Sequence, residues 1–458
     1  MDLMTNIKKI AKLLSSRKRG SFFLGIFLSL FVVQCATNPV TGEKELILIS
    51  EYKEIQIGQQ HYGPTIQSFD GLYMYDEGQA YVNKVGQKLA ALSHRPGLEY
   101  EFKVVNTPMV NAFALPGGKI CITRGMLGRL TNEAQLAAVL GHEIGHVTAR
   151  HTAKAMTRQM VFGGLVALGA YAASSKYQQY GDLIMVASGL GLNAFLAKYS
   201  RDQESQSDEL GLNYMTKASY NPQGAVEMFE LLQSLQKSEP SFIEAMFMSH
   251  PQSKDRVAHA KALIATEYAL VSKQKGLAYE TSEFKTVAAK LKADAPFYEE
   301  HEKGVAAVGK SLWNEAATHF KKAIAGKPNE ALFHADLGYA LLLKGDEGES
   351  KTHLEKAIEL YPDFFKPNYY MGYLSYKQHN YGTALSYLKQ ADKLVGGNPE
   401  IRLMIGESLE QSGDVRSAVE YYADVYQADP KGKAGQIATK HLLRLGVLKP
   451  QPQQSQQR

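Results

Sequence analysis

The order of apolar and polar positions divides the chain into segments of different kinds. Residues 21–33, SFFLGIFLSLFVV, form one apolar run. YEFKVV (100–105) and NAFALPGGKICITR (111–124) alternate or cluster β-favouring residues around Gly117-Gly118, which predicts strands joined by a tight glycine turn. Leu136, Leu140, Ile144 and Val147 then recur at helical spacing behind Asn132 and Gln135, a pair suited to capping a helix start. That helix is predicted to bury the leucine stripe and to open its other side, about a third of a turn away, to a cavity.

The second half is periodic. Gly304, Gly338, Gly372 and Gly406 stand 34 residues apart, as do Ala316, Ser350, Ala384 and Ala418. Phe320, Leu354, Leu388 and Tyr422 follow in register, with Pro328, Pro362 and Pro430 on the same grid and Gly396 in the remaining slot. Such a period predicts four helix-turn-helix repeats of tetratricopeptide type, which stack because no single pair buries its own apolar face. Tyr369, Tyr370, Tyr373 and Tyr376 either line the concave surface or pack within a repeat. GQIATKHLLRLG after the fourth repeat suits a capping helix. The predicted layout is 1–34 signal sequence, 35–265 first domain, 266–296 lysine-rich linker, 297–446 repeats with cap, and 447–458 disordered tail.

Candidate chemistry sits on the capped helix. LGHEIGHV places His142, Glu143 and His146 at the spacing that turns two imidazoles to one point, with a carboxylate beside it. This is a metal clamp with a base next to it, at the spacing of a zinc-peptidase helix. A catalytic zinc needs a third protein ligand. In SRDQESQSDELG, Glu204 and Asp208 lie one helical turn apart, so Glu204 is expected at the metal and Asp208 behind a zinc-bound histidine, fixing its tautomer. His151 is off this spacing and reads as a helix-end histidine or a supporting partner, not a ligand.

HEIGH, SRDQESQSDELG, the preceding NAFALPGGKICITRGML and the following SHPQSKDR together resemble the HtpX and CAAX-prenyl-protease type of gluzincin metallopeptidases, in particular extracytoplasmic bacterial members carrying tetratricopeptide repeats. The likeness covers roughly residues 40 to 265 and, through the repeats, most of the rest. It implies an α+β metallopeptidase domain, mostly helical with a small β-sheet, followed by an all-α repeat solenoid. It implies one zinc ion held by His142, His146 and Glu204, with Glu143 as general base. It points to Asn111, Ala112, Phe113 and Ala114 as a sheet edge to which an extended substrate adds as a strand. His250-Pro251 and Arg256 match the family's histidine-proline block. Either side chain can stabilise an oxyanion, His250 can instead occupy the open zinc position, or the two can be a helix-start histidine and a structural ion pair.

Charge and cysteine content place the chain in the cell. The net charge is +5, and residues 1–34 supply all of it, six basic residues against Asp2; the remainder is neutral and does not favour a nucleic-acid partner. A basic start, a short apolar run and a boundary form an export signal. Two cysteines exclude a disulfide framework. Cys35, directly after the run, resembles a bacterial lipoprotein acceptor, although Gln34 departs from the usual Gly, Ala or Ser before it; an uncleaved anchor and cleavage without lipid are the alternatives. The expected location is the periplasm, membrane-anchored as a lipoprotein. Two apolar stretches, residues 160–173 and 183–196, are short for membrane spans and suit buried or membrane-brushing helices.

The resulting expectation is a zinc endopeptidase acting on protein or peptide substrates, misfolded or unassembled envelope proteins, with the repeats recruiting clients or outer-membrane assembly machinery. The rival is a chaperone or scaffold whose zinc site is masked or vestigial.

Overall fold

The computed structural model describes residues 35–167, 199–250 and 255–449. The export-type segment 1–34, Pro251, the second apolar stretch, the last six residues of the first and the tail from 450 lie outside the described residues. No described helix is long and apolar enough to cross a membrane.

The first half is built around one helix. Strands β1 (Cys35–Thr37) and β2 (Lys44–Leu46) form a small antiparallel pair, followed by helices α1 (Glu51–Ser68) and α2 (Asp76–Ala90). Strands β3 (Glu101–Val105), β4 (Ala112–Leu115) and β5 (Lys119–Thr123) make a three-stranded sheet in the order β3-β5-β4. β5 runs parallel to β3, with Phe102 opposite Ile120, and antiparallel to β4, with Phe113 opposite Cys121. The β4–β5 connection carries Gly117 at φ 75°, a left-handed value that a side chain would strain. The order makes β5 central and β4 one of the two outer strands.

After the single turn α3 (Arg124–Leu127) comes α4 (Glu133–Thr148), which carries HEIGH. Asn132 Oδ1 accepts from Gln135 N at 2.9 Å and so caps it. Leu136, Leu140, Ile144 and Val147 enter the core together with Val104, Ile120 and Ile122. The expectation that the opposite side opens to a cavity is corrected: every residue from Glu133 to Thr148 is buried. The cause is α6 (Arg201–Lys217), which follows α5 (His151–Ala167) among the described elements and lies against α4. The two helices touch through glycines. A Cβ on Gly145 would stand 3.0 Å from Ser207 Cα, and one on Gly211 would stand 2.8 Å from His142 N. Side chains there would push Glu204 away from the histidines. Helices α7 (Gln223–Ser238), α8 (Pro240–Ser249) and α9 (Arg256–Thr266) complete this half.

Helix α10 (Ser282–Gly309) runs across position 296, where the linker was expected to give way to repeats. It pairs with α11 (Trp313–Gly326), and the array continues as α12 (Ala331–Lys344), α13 (Glu347–Leu360), α14 (Phe365–Lys377), α15 (Tyr381–Val395), α16 (Pro399–Gln411), α17 (Val415–Ala428) and the capping α18 (Lys433–Arg444). The 34-residue grid has a direct meaning here. In each repeat the glycine of the first helix receives the large residue of the second, so that a Cβ on Gly304, Gly338, Gly372 or Gly406 would meet Phe320, Leu354, Leu388 or Tyr422 at 2.5–2.7 Å.

The two halves share a core. Tyr73, Phe102, Tyr298, Phe333 and Phe364 belong to one continuous buried cluster. Polar contacts tie the same surface: Tyr73 OH donates to Asp294 Oδ2 at 2.8 Å and Asn106 Nδ2 to Glu330 Oε1 at 3.1 Å. At the end of α1, Gln67 Nε2 donates to Asp363 O at 2.9 Å and its Oε1 accepts from Phe365 N at 2.9 Å.

Candidate metal centre

Helix α4 supplies His142, Glu143 and His146, α6 supplies Glu204 and Asp208, the end of α8 supplies His250 and the start of α9 supplies Arg256. One donor atom from each of His142, His146, Glu204 and His250 lies within 4.8 Å of every other, and all four residues are buried. His142 Nε2 is 3.0 Å from His146 Nε2 and 3.4 Å from His250 Nδ1. Glu204 Oε1 is 3.0 Å from His250 Nδ1 and 3.4 Å from His146 Nε2, and Oε2 is 3.6 Å from His142 Nε2.

These spacings fit a metal better than they fit the side chains alone. Asp208 Oδ1 stands 2.8 Å from His142 Nδ1, so the ring hydrogen is on Nδ1 and Nε2 presents a lone pair to its neighbours. Donors about 2.1 Å from one zinc ion in a tetrahedron stand roughly 3.4 Å apart, close to what is found. Buried Glu143 Oε2 and Glu204 Oε2 have no hydrogen-bond partner, and such orphaned oxygens are costly unless something positive or protic meets them. A divalent cation would take Glu204, and a water would take Glu143.

The electrostatics sort the groups. Burial pushes the Glu143 carboxyl above the ordinary carboxylate range, against the pull of His250 and His142. Burial also disfavours charge on Glu204, yet His250, His146 and His142 around it hold its carboxyl well below that range. Burial takes His146 well below the usual imidazole value, which keeps its ring neutral, as a ligand must be. Asp208 is held low because Arg256 and His142 outweigh its burial.

Arg256 does not face the cluster as a free cation. Its Nε and Nη2 donate to Asp208 at 2.7 and 2.5 Å, while Nη1, without a hydrogen bond, lies 3.4 Å from Glu204 Oε2. In this geometry it positions Asp208 and, through it, His142. His250 joins the donor set, with its Nε2 3.8 Å from Glu143 Oε1. Ala112–Leu115 form β4, an outer strand buried and packed along α4, and Asn111 N donates to Thr123 Oγ1 at 3.1 Å. Cys35 begins β1. Tyr369, Tyr370 and Tyr373 line a cavity of about 380 Å³ with Gln67 and Asp70, whereas Tyr376 OH donates to Glu407 Oε2 at 2.6 Å.

Two contacts had no foresight in the sequence. The Tyr199 ring stacks on His146 with centroids 3.8 Å apart, and nothing in a tyrosine 53 residues downstream signals that. Buried Glu54 bridges Arg95 Nη1 at 3.0 Å and Arg150 Nε at 2.8 Å, bracing the turn that follows α4.

Comparison with known proteins agrees with this construction. Residues 76–264 match Peptidase family M48, and residues 333–364 and 370–433 match tetratricopeptide-repeat families. Mitochondrial metalloendopeptidase OMA1 of Arabidopsis thaliana is 36% identical over 168 residues, 36% of this chain and 32% of that one. The beta-barrel assembly-enhancing protease of Escherichia coli (strain K12) is 26% identical over 259 residues, 56% of this chain and 52% of that one. Metalloprotease YcaL of the same organism is 32% identical over 193 residues, 40% of this chain and 72% of that one. The chain thus spans about a third of the first of these and half of the second. With the HEIGH helix, the facing Glu204 helix and the repeat array in place, the chain belongs to peptidase family M48.

Proposed function

We propose that this protein is a zinc-dependent endopeptidase of the cell envelope that cleaves misfolded or unassembled proteins, with the repeats recruiting clients or assembly machinery. One observation carries the reading: His142, His146 and Glu204 converge while Glu143, beside them, keeps a buried oxygen without a partner. His142, His146 and Glu204 would hold the ion. The chemistry zinc supplies when bound is polarisation of the scissile carbonyl and acidification of the attacking water. Glu143, whose raised pKa suits proton exchange, takes the proton from that water and passes it to the leaving amine. β4 holds the peptide through its backbone, and Asp208 with Arg256 keeps His142 aligned. The location rests on the export-type start and on kinship with the assembly-enhancing protease, and the lipid anchor rests on Cys35.

One observation favours a second reading. His250 completes a four-donor set, and a closed set leaves no position for substrate, as in a scaffold with a masked site. The purified Glu143→Gln variant separates the two. The endopeptidase reading expects about one zinc per chain and no cleavage of an unfolded protein that the wild type cuts. If the wild type, loaded with zinc, cuts nothing and Glu143→Gln fully complements a deletion strain, the scaffold reading stands instead.

A further inference from the structure

The two imidazoles of HEIGH are oriented by different means. His142 hands its Nδ1 hydrogen to the Asp208 carboxylate, which can only accept. The Nδ1 of His146 meets another histidine, 2.9 Å away at His151 Nδ1. Two ring nitrogens at that distance share one hydrogen, and the pair alone does not fix which ring carries it. The next contact does. His151 Nε2 lies 2.9 Å from Gln206 Oε1, a carbonyl oxygen that only accepts. The hydrogen of a neutral His151 is therefore on Nε2, its Nδ1 is bare, and His146 must donate from Nδ1. His146 Nε2 is left with its lone pair facing His142 and Glu204.

We propose that Gln206 is a positioning residue which, acting through His151, sets the tautomer of His146 and so presents Nε2 to the metal. This rests on the metallopeptidase reading. Turning the Gln206 amide over would reverse each hydrogen in the chain and put an N–H on His146 Nε2, aimed at His142 Nε2 3.0 Å away, where no cation could then bind. A neutral acceptor also avoids placing a third carboxylate near Glu204 and Asp208.

The backbone is arranged to make this contact. Arg150 adopts φ 56°, a left-handed value that a residue with a side chain rarely takes. Its Nε donates to Glu54 and its Nη2 to Ile49 O at 2.7 Å, which holds the reversal in place. That reversal folds His151, fully buried, back onto His146. Ser207 Oγ, 3.4 Å from His151 Nδ1, is a hydroxyl that can donate to the same bare nitrogen.

Gln206 is only partly buried, so replacing it leaves the fold in place. Zinc affinity of the full chain, by competition with a coloured chelator at fixed pH, is compared for wild type, Gln206→Met and Gln206→Glu. In the metal-free proteins, nitrogen NMR of the imidazoles reads the His146 tautomer. The expectation for Gln206→Met is a roughly 10- to 100-fold loss of zinc affinity and a mixed His146 tautomer, with thermal stability of the metal-free protein unchanged. Gln206→Glu, which keeps an accepting oxygen, restores both. Unchanged affinity and an unchanged tautomer in Gln206→Met, with a wild type that binds zinc, overturn this proposal alone. A wild type that binds no zinc overturns the metallopeptidase reading and this proposal with it.

Discussion

His250 illustrates how one side chain decides what the centre can do. A hydrolytic zinc site keeps one position for water or substrate, whereas four protein donors close it. His250 Nδ1 stands among the donors, 3.0 Å from Glu204 and 3.4 Å from His142, so an ion held there would meet four protein donors. Removing the imbalance of four donors is expected to open the site: His250→Ala should cleave an unfolded protein several-fold faster than wild type at equal zinc content. A loss of rate would instead assign His250 to catalysis, and no change would make it a helix-end residue. At this scale the sequence showed the donors and Asp208 behind one of them, but not the remaining supports. His142, Glu143 and His146 are legible because a helix places them locally, and Glu204 becomes legible only beside them. Tyr199 and Glu54 act through contacts that chain folding alone creates, with no local spacing to betray them.

At the scale of elements, paired helices show how burial is distributed. In the second repeat His334 on α12 and His353 on α13 face each other, Nδ1 to Nδ1 at 2.9 Å, and His334 Nε2 donates to Pro328 O at 2.9 Å. Burial lowers the pKa of both, and for His353 the neighbouring His334 adds to it. The unfolded chain titrates these rings near 6.5, so below about pH 6.5 it binds more protons than the folded one. Stability from this pair is complete above that pH and is lost as pH falls through the lowered folded values. Thermal unfolding at pH 7.5 and pH 5 is expected to show a drop for the wild type that His353→Gln reduces; an equal drop in both would remove the pair from the account. The repeats were readable because a repeat is local and its glycine-to-large-residue contact recurs every 34 residues. The first half of the helix Ser282–Gly309 was not, because it precedes the repeat grid and runs into Pro296, and only packing against α11 and the first half of the molecule completes its apolar face.

For the whole molecule the shared core matters most. Tyr298, Phe333 and Phe364 of the repeat half cover Tyr73 and Gly71 of the first half, and uncovering a large side chain costs roughly 1.5–3 kcal/mol. Residues 35–265 expressed alone are expected to aggregate or to melt well below the full chain, as read by scanning calorimetry. An isolated fragment that melts at the temperature of the full chain would show that the two halves are energetically independent. None of these cross-contacts was visible in the sequence, since both partners look like ordinary apolar residues until they are brought together.

Helix α1 has a consequence for communication across this molecule. Its Gly58 is so close to the β4–β5 hairpin that a Cβ there would fall 1.8 Å from Pro116 O, while Gln67 and Ser68, at its other end, wall the tyrosine-lined cavity of the repeats. From Gly58 to Gln67 is about 14 Å of helix. A polypeptide lodged among those tyrosines would therefore lean on the same rod that braces β4, which sets the tyrosine-lined cavity and the strand proposed to hold substrate one helix apart.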